Sequence, residues 1–484
     1  MKTQEANLQK DKSQNDSRKS FNSASIKSLN DLQKKHLETL IADYTKRTKT
    51  SKHLTQAYRP VLADPRGSSG FHPLLKEMVY PIIGRRTLGS RIWDIDGNEY
   101  VDIEMGFGVH LFGHNPPFIK EALEKRLEQS IDIGPQSDLA GEVAELVSEL
   151  TGMERVTFSN TGTEAVMAAI RLARTATGCN KIALFSNSYH GHSDNTLVKA
   201  EKIDGKPRVA PAYLGVPPNI AEYVLVLDYG NPQSLEIIKS YEQELAAVIV
   251  EPVQSQRPNL QPKEFLQQLR QLTRESGIVL IFDEMITGFR IHPGGAQAWF
   301  GVEADIATYG KIVGGGMPIG IIAGKAVYMD RIDGGIWNYG DESSPRVERT
   351  LFSGTFCKHP LAMTAARAVL KHLKTRGPTL QQQLNQRTRQ FVKNLNGCCE
   401  DEQLPIRFEN FGSIFNAVTL ENSSFLESMM LNFKLLYHHF INKGVYLRQS
   451  FCALSTTHTD EDLDYVIQAL KDSVGELREG GFLT

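Results

Sequence analysis

Residues 278–289 read IVLIFDEMITGF and residues 309–320 read YGKIVGGGMPIG, and these two runs together decide the fold. In the first, the unbroken apolar stretch from Ile278 to Phe282 ends on Asp283. An apolar run without alternation is the pattern of a strand covered on both faces, as in a parallel sheet. A carboxylate at the end of such a strand is costly unless it is paired. The competing role for Asp283 or Glu284 is to cap the next element. Strand ends of α/β sheets are where ligands sit, which favours a site. In the second run, Lys311 stands between Tyr309 and Ile312 and leads into Gly314, Gly315 and Gly316. Most lysines are solvated surface charges, but one so flanked is expected to be enclosed, which lowers its pKa and makes the neutral amine available.

An enclosed amine and a buried carboxylate are what pyridoxal phosphate needs, the lysine as Schiff-base partner and the aspartate as counter-ion to the ring nitrogen. Upstream, SNTGTEAVMAAIRLAR at 159–174 places Asn160, Thr161, Gly162 and Thr163 at a helix start. Helix N-termini offer unpaired N–H groups to a phosphate, although the same residues also serve as ordinary caps. Tyr189, in YHGHSDN after the strand-like KIALFSN, is a candidate to lie on the cofactor ring, set against the plainer role of a core tyrosine. EPVQ at 251–254 follows the apolar AAVIV and puts Glu251 and Gln254 at the same edge, with Gln254 placed to hydrogen-bond the ring oxygen.

Outward from these runs, SRIWDIDGNEYVDIEMG reads as a hairpin about Asp96 and Gly97. Helices are expected over 118–130, 139–150 and 163–176, alternating with the strands VTFS, KIALF, AAVIVEP and IVLIFDE. That rhythm predicts an α/β fold in which a mostly parallel sheet is wrapped by helices. After about residue 361 come helices through 374, over 380–395 and over 460–477, and a strand near 413–420. The division expected is a disordered polar tail over 1–27, a leading helix and small-domain segment over 28–110, a large domain over 111–360, and a smaller α/β domain over 361–484. Leu29, Leu32, Leu37, Leu40, Ile41 and Tyr44 share one face of the leading helix, with Ser28 or Asn30 as cap, and are expected to pack on the protein's own body.

The 54 basic and 56 acidic residues among 484 give a net charge of −2, which makes no case for nucleic acid. Five cysteines without CxxC or His/Cys ligand spacing suit reduced thiols and argue against a metal. A polar N-terminus and the absence of any membrane-length apolar segment give the expectation of a soluble, cytoplasmic protein.

From about residue 80 to 476 the chain resembles the class III, fold-type-I pyridoxal-phosphate aminotransferases, and most closely the branch containing glutamate-1-semialdehyde aminomutase. The resemblance is carried, in order, by WDIDGNEYVD, GHNPPFI, SNTGTEA, YHGHSDN, EPVQ, DEMITGFR, GGAQAWFGVEADIATYGKIVGGGMPIG and HTDEDLD. It implies a homodimer with a shared active site. In that site Lys311 is the Schiff-base lysine, Asp283 pairs with the pyridine nitrogen, Gly162 with Thr163 binds the phosphate, Tyr189 stacks on the ring and Gln254 meets the ring oxygen. Thr355, in SGTFCKHPLAM, corresponds to the threonine that reaches the phosphate from the partner subunit. EPVQSQRPNLQP, GTFCKHPLAM and the longer approach DRIDGGIWNYGDESSPRVERTLF depart from the aminomutase pattern and are similar to aminotransferase domains of hybrid polyketide synthase and nonribosomal peptide synthetase assembly lines. They imply amination of a β-ketoacyl thioester on an acyl carrier protein, with glutamate or glutamine as donor. The alternatives are a glutamate-1-semialdehyde 2,1-aminomutase or a transaminase of a free small ketone or aldehyde. Arg85, Arg86 and Arg290 are candidates to bind a substrate carboxylate, and Lys358 and His359 to line the entrance for a phosphopantetheine arm.

Overall fold

The computed structural model describes residues 29–68, 70–203, 206–419, 426–447 and 451–483. The expected tail over 1–27 lies outside the described residues.

At the centre is a seven-stranded sheet of β1 (Arg155–Ser159), β2 (Lys181–Phe185), β3 (Val224–Leu227), β4 (Leu245–Val250), β5 (Val279–Asp283), β6 (Ile306–Gly310) and β7 (Gly320–Gly324). Their spatial order is β1-β7-β6-β5-β4-β2-β3. β7 runs antiparallel to both its neighbours, and every other pairing is parallel. This is the mostly parallel α/β sheet expected from the apolar runs. Alternate strand residues face opposite layers: Ile249, Ile281 and Ile306 pack with Val166, Ile170 and Ala173 of helix α2 (Gly162–Thr177), while Val248, Leu280, Phe282 and Ala307 join the core of the other face. The inner strands β4, β5, β6 and β7 are buried along their whole length because neither face meets water.

Two smaller sheets draw on segments far apart in sequence. The hairpin strands Arg91–Asp94 and Glu99–Asp102 pair as expected around Gly97, whose φ of 87° suits the turn. The same sheet takes Gly84–Leu88 on one edge and, parallel to Glu99–Asp102, Val445–Tyr446 on the other. A second sheet joins Ile406–Phe411, Ile414–Thr419 and Cys452–Ala453. Helix α1 (Asp31–Arg47) opens on a capping box between Asn30 and Gln33 and buries Leu37, Leu40 and Tyr44 against Tyr80, Leu435, Ile441 and Leu477. It therefore packs on the protein's own body. Leu32, assigned to the same face, is exposed.

The antiparallel β7 fixes the start of α2. A Cβ on Gly320 would stand 2.2 Å from the Thr161 carbonyl oxygen and 2.4 Å from Ser159 Oγ. The backbone oxygen cannot move aside without shifting the helix start. Gly320→Ala is expected to lower stability by about 1–3 kcal/mol, read as an earlier urea midpoint with unchanged slope.

Candidate active site

β4, β5 and β6 all end at one edge of the sheet, and the residues at those ends make the site. Phe282 pairs with Val250 and Asp283 with Thr308, so β4 and β5 end within a residue of each other and β6 runs on two residues further to Gly310. Asp283 closes β5 and is buried. Its Oδ2 lies 2.7 Å from His190 Nδ1, and its Oδ1 accepts from Thr308 Oγ1 at 3.3 Å and from the Met285 N–H at 3.2 Å. Burial acts to lower the His190 pKa, but the bond to Asp283 and the charges of Asp283 and Glu251 outweigh it, and the net direction is upward. Glu284 takes the capping role weighed for both acids: its carboxylate accepts from Thr287 Oγ1 and from the Ala296 and Gln297 N–H groups at the start of the helix Gly295–Phe300.

Lys311 follows β6 with φ 48°, an unusual left-handed conformation for a non-glycine residue. Burial pushes its ammonium below the ordinary lysine value, while Asp283 and Glu251 pull the other way and Arg290 adds to the fall. The lysine turn and the start of α2 meet at Met285. A Cβ on either Gly310 or Gly162 would come within 2.8 Å of Met285 Sδ, so both glycines leave room for that side chain.

At the start of α2, Thr161 is the N-cap, with its hydroxyl accepting from the Glu164 N–H at 3.2 Å and its carbonyl from Ser159 Oγ at 3.1 Å. Both oxygens accept within the fold, which leaves the hydroxyl hydrogen of Thr161 and the first-turn N–H groups of Gly162 and Thr163 as donors suited to a phosphate. Thr163 Oγ1 also accepts from the His192 N–H at 3.3 Å, tying the Tyr189–His192 segment to the helix start. Tyr189 is 60% exposed rather than packed in the core.

Gln254 is fully buried, and its Nε2 donates to the Ser186 carbonyl at 2.7 Å and to Ser188 Oγ at 2.9 Å. The amide nitrogen is thus committed to the fold, and Oε1 is the end left without a protein partner. Thr355 is exposed in an irregular segment. In the single chain its neighbour Gly354 stands beside the α2 start, since a Cβ there would lie 3.4 Å from Asn160 Nδ2.

Several other candidates have structural duties. Arg290 is fully buried and donates to the Ile286 carbonyl at 2.9 Å, to Ser413 Oγ at 2.9 Å and to the Gly108 carbonyl, with burial bringing its guanidinium down to about 9. Arg86 lies 4.5 Å from the centroid of the Trp93 ring. His359 Nδ1 accepts from the Leu361 N–H as N-cap of the helix Pro360–Arg376, and Lys358 Nζ donates to Gln136 Oε1. Among the described residues, no three His, Cys, Asp or Glu side chains are grouped to hold a metal ion, and no helix is long and apolar enough to cross a membrane.

The arrangement fits a planar phosphorylated aldehyde. It offers a helix start for the phosphate, an enclosed amine for the aldehyde and a buried carboxylate for a ring cation. Two buried atoms without protein partners, Gln254 Oε1 and His190 Nε2, lie on the residues around it. Asp283→Asn removes the main influence that keeps a proton on Lys311. In the cofactor-free protein, modification of Lys311 by an amine reagent should show a pH midpoint below the ordinary lysine value, and a lower one still in the variant. Peptide mass spectrometry across a pH series reads this, and an unchanged or higher midpoint in the variant contradicts the pairing.

The family model described as aminotransferase class-III matches residues 75–474. Glutamate-1-semialdehyde 2,1-aminomutases of Alkaliphilus oremlandii and Ruminiclostridium cellulolyticum are each 36% identical to the chain, covering 81% and 82% of it and 90% and 91% of their own lengths. Among solved structures, an omega-transaminase from Sphaerobacter thermophilus matches with a TM-score of 0.79 at 28% identity, covering 88% of this chain and 98% of its own. A transaminase with PLP bound matches with a TM-score of 0.80 at 28% identity, covering 90% and 99%.

Proposed function

The chain belongs to the class-III aminotransferases, pyridoxal-phosphate enzymes that transfer amino groups, and from that premise we propose the roles of its residues and its substrate. The observation that carries the assignment is the convergence of Lys311, Asp283 and the α2 start on one sheet edge, with Asp283 held by His190. Bound there, the cofactor supplies a sink for the electrons released when a proton leaves the carbon bearing the amine. N–H groups of Gly162 and Thr163 receive the phosphate, and Tyr189 covers a ring face. Asp283 holds a proton on the ring nitrogen. Lys311 Nζ, short of protons because it is buried, takes the proton from the amine-bearing carbon and returns it at the next position. A homodimer in which Thr355 of the partner subunit completes the phosphate end belongs to the same proposal.

For the substrate, the relatives at 36% identity favour an aminomutase acting on glutamate 1-semialdehyde, in which one molecule supplies amine and carbonyl, and that reading leads. The carrier-bound β-ketoacyl reading, with glutamate or glutamine as donor and an acyl carrier protein as partner, draws on one structural observation. Arg290, suited by charge to a substrate carboxylate, is fully buried and directs three of its five N–H groups to oxygens of the fold, a structural duty that weighs against its serving the free carboxylate that a semialdehyde carries and a thioester lacks.

The test incubates the holoenzyme with glutamate 1-semialdehyde alone and, separately, with a β-ketoacyl carrier protein and glutamate, following products by mass. Isomerisation of the semialdehyde without a donor supports the lead reading; conversion only of the acyl chain overturns it in favour of the second. Turnover in neither arm overturns both. Lys311→Ala is expected to lose at least about 100-fold in rate and the visible absorbance of the bound cofactor.

A further inference from the structure

Glu251 has no part in the roles derived so far, yet it sits at the centre of the site. It follows β4, which lies between β5 and β2 in the sheet. Phe282 pairs with Val250 in parallel register, so one residue further on Asp283 and Glu251 stand side by side. Alternation along the strands turns both side chains to the face that carries α2, since Ile249 and Ile281 pack there. On the other flank, β2 runs on into Ser186, Asn187, Ser188, Tyr189 and His190.

That segment must do two opposed things. Tyr189 is exposed and His190, next to it, is buried against Asp283. Asn187 bends the backbone with φ 66°. The run EPVQ reaches across to the segment at both ends: Gln254 Nε2 donates to the Ser186 carbonyl and Ser188 Oγ, and Glu251 Oε2 accepts the Tyr189 N–H at 3.1 Å. A carboxyl enclosed to this degree, with one strong donor aimed at it, forms a tether whose loss leaves a buried polar group unpaired.

We infer that Glu251 is a positioning residue: its bond to the Tyr189 N–H fixes where the Tyr189 ring stands over the cofactor and aims His190 at Asp283. Two consequences of the same geometry separate this role from general support of the fold. Burial, reinforced by Asp283 and opposed by His190, pushes the Glu251 carboxyl up to about 7, so its charge changes in the neutral range and is felt by the proton-holding groups beside it. The hydrogen bond itself needs only an acceptor oxygen, which glutamine retains.

The inference rests on the pyridoxal-phosphate reading, and the experiment keeps the two apart. Wild type, Glu251→Gln and Glu251→Ala are compared in three measurements: amide exchange at Tyr189 in the cofactor-free protein, the dissociation constant for pyridoxal phosphate by equilibrium dialysis, and the pH midpoint of the visible absorbance of the bound cofactor. Glu251→Gln should keep the protected amide and bind within about 3-fold of wild type, while its absorbance midpoint moves down because a neighbouring negative charge is gone. Glu251→Ala should lose protection at Tyr189 and bind about 10- to 100-fold more weakly. Should the alanine variant fold poorly, Glu251→Asp shortens the same side chain and carries the same expectation for exchange and affinity. Unchanged exchange and affinity in the alanine or aspartate variant overturn the inference. If wild type fails to take up pyridoxal phosphate, the cofactor reading falls, and the exchange measurement still decides whether Glu251 is the tether.

Discussion

A carboxylate at the end of a strand enclosed on both faces is the constraint around which the site is built. Taking the Asp283 charge out of water costs several kcal/mol or more unless partners replace the solvent. The fold supplies a carboxylate partner in His190, a hydroxyl from Thr308 on the next strand, and the Met285 N–H just beyond the strand. Those three partners come from three separate segments, so each must be held in register for the charge to be tolerated. The parallel pairing of β4, β5 and β6 provides that register.

The same economy of space governs the lysine. Met285 follows Asp283 by two residues and lies where any side chain on Gly162 or Gly310 would meet it. The helix that would bind the phosphate and the turn that carries the amine are thereby set at fixed distances from the carboxylate, through one flexible thioether that fills the gap between them. Left-handed backbone at Lys311 is a local cost of the turn that follows β6.

Much of this was legible in the sequence because the buried strands are continuous apolar runs, and because a lysine before three glycines has few ordinary explanations. The hairpin about Gly97, the capping of α1 by Asn30 and the start of α2 follow from short-range chemistry that sequence states directly. β7 was not legible: GIIAG has the composition of any buried strand, and its antiparallel direction is decided by pairing with β1 and β6. His190 and Glu251 were likewise visible only as neighbours of other motifs, since their bonds join residues 93 and 62 positions apart. Arg290 could be read two ways, as a substrate contact or as a structural charge, and only the three-dimensional fold reveals that it donates to Ile286, Ser413 and Gly108.

Gln254 carries the argument one step further. The sequence places its amide to hydrogen-bond the cofactor without giving a direction; the Ser186 carbonyl can only accept, so the nitrogen faces it and the oxygen is left without a protein partner. An unpaired buried acceptor calls for a donor. Burial raises Glu251 toward neutrality, and Asp283 raises His190 against its burial, so two groups beside Asp283 hold protons more readily than they do in water. That property suits amino-group transfer, in which a proton leaves one carbon and reaches another without exchange with bulk water being required.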